Sequence, residues 1–166
     1  LQCSRCRCGV HAKLRWLIQS VTVSSCHDPG RNTASVLLAD DEELILQTFK
    51  EVLELDGHQV TVTRNGQDML PLIERHRIEV VVTDILMPEV DGLESIRGIR
   101  KRYPQIGIIA ISGGGRTRHL EFLDHARKLG ADIALAKPFL GHALLNAVNL
   151  CASRQVLPTG PESAST

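Results

Sequence analysis

The sequence is poor in aromatic residues. Three Phe, one Tyr and one Trp make up 3% of 166 residues. Any core must therefore be aliphatic. No apolar stretch approaches the ~20 residues that a membrane-spanning helix needs. Leu14 to Val23 is interrupted by Arg15, Gln19 and Ser20, so a secretory signal is not expected and a cytoplasmic setting is. Excess charge of one sign is missing too, with 19 Lys and Arg against 19 Asp and Glu. A basic nucleic-acid-binding domain is thereby excluded. The run Gly113-Gly114-Gly115 has neither the G-x-G-x-x-G spacing nor a Walker lysine, which argues against a nucleotide site. Cysteines are lopsided: Cys3, Cys6, Cys8 and Cys26 precede the apolar part of the chain and Cys151 lies near its end. They form no disulfide framework. With His11 and His27 the first four lack the second well-spaced pair of a zinc finger, so metal there is not favoured.

Residues 1–34 carry five basic residues and one Asp, whereas residues 35–152 carry thirteen basic and seventeen acidic ones. The first segment is expected to be a disordered leader, or an extension foreign to the natural product because the chain starts at Leu1. Residues 35–152 form the globular domain. Residues 153–166, rich in Pro, Ser and Thr, are expected to be a disordered tail.

Within 35–152, four continuous apolar runs predict buried strands at Ser35–Ala39, Val80–Thr83, Ile106–Ile111 and Asp132–Ala136. Gln59–Thr63 alternates as a further strand. Helical spacing fills the intervals. Leu44, Ile45, Phe49, Val52 and Leu53 mark a first helix stopped by Asp56-Gly57. A second follows Asn65-Gly66 through Arg75, starting late or kinking because of Pro71. A third covers Leu93–Arg102, a fourth carries Leu120, Leu123, Ala126 and Leu129 with Gly130 as its cap, and a fifth runs Leu140–Cys151. Alternating strands and helices imply right-handed crossovers and a parallel sheet. Ligands of such α/β sheets bind outside the strands' carboxyl ends.

Polar residues stand at those ends. Asp40, Asp41 and Glu42 follow the first strand, Asp84 the third, Ser112 the fourth and Lys137 the fifth. Crowded carboxylates repel one another unless a cation intervenes. Mg²⁺ takes few carboxylates plus waters and phosphate oxygens, which suits Asp41 and Asp84 as direct ligands and Asp40 through water. Glu42 is expected in the first turn of the helix. Lys137 and Ser112 are placed to hold phosphoryl oxygens. Asp84 is then the natural nucleophile, since carboxylates form aspartyl phosphates.

The segments Val36-Leu37-Leu38-Ala39-Asp40-Asp41-Glu42, Val82-Thr83-Asp84-Ile85-Leu86-Met87-Pro88-Glu89-Val90-Asp91-Gly92, Ala110-Ile111-Ser112-Gly113 and Ala136-Lys137-Pro138-Phe139 occur in the order found in one family. Residues 35–152 resemble the CheY-like receiver domain of bacterial two-component response regulators. The resemblance implies a doubly wound five-stranded parallel sheet in the order 2-1-3-4-5. It implies that Asp84 takes a phosphoryl group from the phosphohistidine of a sensor histidine kinase or histidine phosphotransferase. It adds the Leu86 carbonyl as a Mg²⁺ ligand and a cis Lys137–Pro138 bond. With only a short polar tail after the last helix, a stand-alone switch acting on a downstream protein partner is expected.

Two departures accompany the matches. Ala134 stands where the family carries a Tyr or Phe, and a methyl group cannot act as a rotameric switch. The glycine triplet after Ser112 suggests that ordering of residues 112–118 replaces it. Leu86 and Gly114 lie two residues past Asp84 and Ser112, where side chains influence the attacking water in this family. Neither can hold a water, which predicts slow hydrolysis. Two other classes compete: a receiver-like interaction module that is not phosphorylated, to which Ala134 lends weight, and a phosphatase of the haloacid dehalogenase type. The latter wants a second aspartate where Leu86 stands.

Overall fold

A computed structural model describes residues 33–87, 92–113 and 118–155. The expectations for residues 1–32, for Pro88 to Asp91, for residues 114–117 and for the tail from residue 156 lie outside the described residues.

Five strands, β1 (Ser35–Ala39), β2 (Gln59–Thr63), β3 (Val80–Asp84), β4 (Gly107–Ser112) and β5 (Ile133–Ala136), alternate with α1 (Glu43–Leu55), α2 (Met69–His76), α3 (Gly92–Arg102), α4 (Arg118–Leu129) and α5 (Gly141–Gln155). All strand pairs are parallel and the sheet order is β2-β1-β3-β4-β5. This is the expected doubly wound order.

Alternation along each strand builds two separate cores. Leu37, Val81, Ile108 and Ala110 face Met69, Ile73, Ile96, Ile99, Leu123 and Ala126, which come from α2, α3 and α4. Val36, Leu38, Val80, Val82, Ile109 and Ile111 face Leu46, Leu53, Leu144, Val148 and Cys151 from α1 and α5. Burying each Val, Leu, Ile or Met among them contributes about 1.5–3 kcal/mol. Aromatics enter at the margin, where Phe49 and Phe139 stack with ring centroids 5.2 Å apart.

Several boundaries differ from the sequence expectation. Leu44 is 78% exposed, because α1 begins at Glu43 and its buried stripe runs through Leu46 and Leu53. The strand expected from Asp132 begins at Ile133 and lies at the sheet edge, so its residues are half-buried or exposed rather than covered on both faces. Asp132 instead works before the strand, accepting from Ile108 N at 2.8 Å and from Arg100 at 2.7 Å. Arg100 also donates to the carbonyls of Gly130, Pro104 and Ile106. It ties the start of β4 to the turn before β5, a role no periodicity signals. The fifth helix continues to Gln155, through the first residues of the expected tail. Ala34, assigned to the leader, is buried, and its N–H donates to His58 Nδ1 at 3.2 Å.

The breakers act as read. Gly57 and Gly130 follow α1 and α4 at φ +99° and +115°, where a Cβ would be strained. A 3₁₀ turn at Gly66–Asp68 precedes α2, so Pro71 falls in that helix's first turn.

Candidate functional site

Because every strand is parallel, the residues following β1, β3, β4 and β5 meet along one edge. Asp40 directly follows β1 and is 1% exposed; Asp84 ends β3 and is 5% exposed. Lys137 Nζ bridges them, 2.8 Å from Asp40 Oδ2 and 2.6 Å from Asp84 Oδ2. The remaining oxygens accept backbone N–H groups: Asp40 Oδ1 from Glu42 at 2.9 Å and Asp84 Oδ1 from Leu86 at 2.9 Å. Ser112 is fully buried at the end of β4, and among the described residues its hydroxyl has no hydrogen-bond partner. Its carbonyl accepts from Lys137 N at 2.8 Å, which seats it beside the lysine. The Lys137–Pro138 bond is cis.

Glycines leave room for this convergence. A Cβ on Gly113 would stand 3.0 Å from Lys137 Cδ. A Cβ on Gly92 would collide with the Asp84 carbonyl oxygen and lie 2.8 Å from Ile85 Cα. The first turn of α3 thus rests directly on the backbone that carries Asp84. Thr83 Oγ1 donates to the same carbonyl at 2.9 Å. Sequence reasoning missed Gly92 and Thr83 as supports, although both belong to the quoted motif.

The other residues are arranged less tightly. Asp41 is half-buried, and among the described residues no donor reaches its carboxylate. Leu86 is 47% exposed. Glu42 is the N-cap residue of α1 rather than part of its first turn, its side chain makes no capping bond, and Glu43 is the first-turn acid. Ala134 pairs with Ala110 and packs half-buried against the α2–α3–α4 core.

Electrostatics follow from this packing. Burial raises the Asp40 carboxyl above its ordinary value of 3.8, outweighing the Lys137 hydrogen bond, the Glu42 N–H and the lysine's charge. Its ionisation therefore costs stability as pH rises from 3.8 through the raised value. Burial acts on Lys137 in the opposite direction, pulling it down, but bonds to Asp40 and Asp84 and their charges lift it above 10.5. The stability that Lys137 contributes is present below 10.5 and lost as pH rises through its folded value. Urea denaturation without divalent cations should accordingly show an alkaline loss of stability in the native chain, and a smaller one in Lys137→Met.

The donor set at this edge suits Mg²⁺ rather than a softer metal. Among the described residues no three His, Cys, Asp or Glu side chains converge to hold a metal by themselves. Mg²⁺ does not require that, since it uses one or two carboxylates with waters and phosphate oxygens. Asp41, Asp84 and the Leu86 carbonyl supply hard oxygen donors of the right kind, and Asp40 is near enough to share Lys137 with Asp84.

Sheet order, buried aspartates, bridging lysine and buried hydroxyl together define a receiver domain, and the response regulator receiver domain profile matches residues 36–149. The chain belongs to that family. Among its relatives are the response regulator FleR of Pseudomonas aeruginosa, 32% identical over 69% of this chain and 24% of that protein, and MprA of Mycobacterium sp., 30% identical over 77% and 54%. The chain thus spans about a quarter and about half of their lengths. The polar-differentiation response regulator DivK of Brucella anthropi is 29% identical over 63% of this chain and 84% of its own. A receiver domain from Clostridium thermocellum superposes with TM-score 0.68 at 34% identity, covering 74% of this chain and 96% of that one. Receiver domains act as phosphoacceptor switches, bind Mg²⁺, and work with histidine kinases and downstream effectors. No described helix is long and apolar enough to cross a membrane.

Proposed function

We propose that this chain is a phosphorylation switch whose acceptor is Asp84. The supporting observation is the lysine bridge: Lys137 Nζ reaches Asp84 and Asp40 at 2.6 and 2.8 Å, and the buried Ser112 hydroxyl at the end of the neighbouring strand has no partner among the described residues. A buried hydroxyl without a partner is costly unless something engages it. A phosphoryl oxygen on Asp84 is the natural partner.

In this reading an Asp84 carboxylate oxygen attacks the phosphorus of a phosphohistidine. The O–P bond forms while the P–N bond breaks, and the imidazole nitrogen leaves with the bonding pair. Lys137 moves from the carboxylates to the new phosphoryl oxygens, and Ser112 donates its hydroxyl to one of them. Asp41, Asp84 and the Leu86 carbonyl would hold Mg²⁺, with Asp40 acting through water. Bound there, the ion supplies positive charge that neutralises the phosphoryl oxygens. Partners are a sensor histidine kinase or histidine phosphotransferase and a downstream protein, in a cytoplasmic setting. The likeness to DivK, most of whose length is matched, supports output through a surface of the receiver domain itself. That output cannot use a rotating ring at position 134. Whether the 112–118 loop replaces it concerns residues 114–117, outside the described ones.

Incubation with acetyl phosphate and Mg²⁺ tests this. A phosphorylated adduct on intact protein is expected, and it should outlast seconds, because Leu86 offers no polar group to position water. No adduct would mark an interaction module instead. Rapid turnover of added phosphoesters would mark a phosphatase.

A further inference from the structure

The edge that carries Asp84 is crowded with negative charge: Asp40, Asp41, Glu42 and Glu43 follow one another after β1. Lys137 is committed to two buried carboxylates. A second cation reaches the same edge. Arg64 directly follows β2, the neighbour of β1 in the sheet. One of its terminal nitrogens lies 3.4 Å from the Asp41 carbonyl oxygen, and the other 3.8 Å from Glu43 Oε2. The Arg64 and Glu43 side chains are 65% and 55% exposed. Contacts this long and wet contribute little to stability. The guanidinium is thus held beside Asp41 without being consumed by it.

We infer that Arg64 is a positioning residue for the phosphodonor, drawing a dianionic phosphoryl compound past the surrounding carboxylates toward Asp84. The inference rests on the reading of Asp84 as acceptor. An approaching dianion meets repulsion from the acidic residues after β1, and Lys137 cannot offset all of it. A guanidinium presents a planar fork of N–H donors that matches phosphoryl oxygens. Leaving Glu43 costs it one loose contact. With acetyl phosphate, an Asp84 oxygen forms the bond to phosphorus and the phosphorus–oxygen bond to the acetyl group breaks. Acetate leaves with the bonding pair. Arg64 neither gives nor takes a proton; it acts on encounter and orientation.

The same location has the opposite consequence for a metal. Standing beside Asp41, the positive charge of Arg64 opposes Mg²⁺ binding. Removing it should therefore slow capture of the donor while tightening Mg²⁺. A residue that merely propped the Asp41 loop would, when removed, weaken both.

The test uses the full chain and its Arg64→Ala, Arg64→Lys and Glu43→Gln variants. The second-order rate of phosphorylation by acetyl phosphate is measured at saturating Mg²⁺ and at low and high ionic strength. Mg²⁺ affinity is read from an NMR titration without phosphodonor. Arg64→Ala is expected to slow phosphorylation about three- to tenfold at low salt, the difference shrinking as salt screens it. Its Mg²⁺ affinity should rise about twofold. Arg64→Lys should restore most of the rate, and Glu43→Gln, which frees the guanidinium and removes a repelling charge, should exceed the native rate. An unchanged rate in Arg64→Ala, with the native chain reacting normally, overturns the inference. So does a salt-independent loss accompanied by weaker Mg²⁺ binding. A native chain that takes up no phosphoryl group overturns the Asp84 reading and, with it, this one.

Discussion

Asp84→Asn is expected to abolish phosphorylation by acetyl phosphate or a phosphohistidine donor while leaving the fold in place. The carboxamide oxygen can still accept the Leu86 N–H, now made by Asp84 Oδ1 at 2.9 Å. Its nitrogen then faces Lys137, where donor meets donor, and the lysine keeps Asp40 as its remaining carboxylate partner at 2.8 Å. Losing one charge-assisted bond costs about 1.5–3 kcal/mol. Part of that is offset, because the charge of Asp84 is one of the influences that raise the Asp40 carboxyl. The reaction has no such compensation: an amide nitrogen has its lone pair delocalised and is not a nucleophile toward phosphorus. Mass spectrometry of intact protein after incubation with donor checks the chemistry, and urea denaturation checks the scaffold. Adduct formation at native level in a folded Asp84→Asn protein would move the acceptor elsewhere.

The fold was legible because its signals are local. Val80 to Thr83 and Ile108 to Ile111 read as buried strands since both faces of a central parallel strand are covered, and Gly57 and Gly130 mark the ends of α1 and α4 at positive φ, whereas α2 ends on Arg77 at φ +49° with no glycine to announce it. The sheet edge was less legible. β5 is aliphatic, as β4 is, but has a neighbour on one side alone, and hydrophobicity does not report which strand lies outermost. Leu44 failed for a related reason: periodicity selects a face but not its phase within one turn, and the phase here follows from Leu46 and Leu53 meeting the sheet.

At the candidate site, residue types at strand ends were sufficient to bring Asp40, Asp84, Ser112 and Lys137 together, because parallel topology leaves them one common edge. The resemblance added the cis bond before Pro138. Other features depend on distances no spacing rule contains. That Lys137 lies between two aspartates rather than on one is a matter of side-chain reach. Arg64 was passed over because an arginine after an edge strand looks like an ordinary surface residue. Its contact with the Asp41 carbonyl depends on how the turn after β2 stacks on the turn after β1.

Two glycines that the sequence alone does not tell apart should respond oppositely to the same change. Both lie in α3. At Gly98 an added methyl would find as its nearest neighbour Leu70 Cδ1 at 3.9 Å, an ordinary contact, and Gly98→Ala should stabilise the protein by about 0.5–1 kcal/mol through helix propensity. At Gly92 the methyl would strike the Asp84 carbonyl oxygen and crowd Ile85 Cα at 2.8 Å. Both obstacles are backbone, fixed by the Ile85 N–H to Ile111 carbonyl bond and by the Gly92 N–H to Ile85 carbonyl bond, at 2.8 and 3.1 Å. Relief requires α3 to lift off the sheet or the end of β3 to shift, so Gly92→Ala should cost about 3 kcal/mol, the upper range for overpacking. Because the displaced carbonyl belongs to Asp84, phosphorylation should fall along with stability even where the variant remains folded. Thermal denaturation of the two variants, with acetyl phosphate uptake measured below the lower transition, separates the effects. Equal stability of Gly92→Ala and Gly98→Ala would show that α3 does not press on the acceptor strand, and that Asp84 owes its position to other contacts.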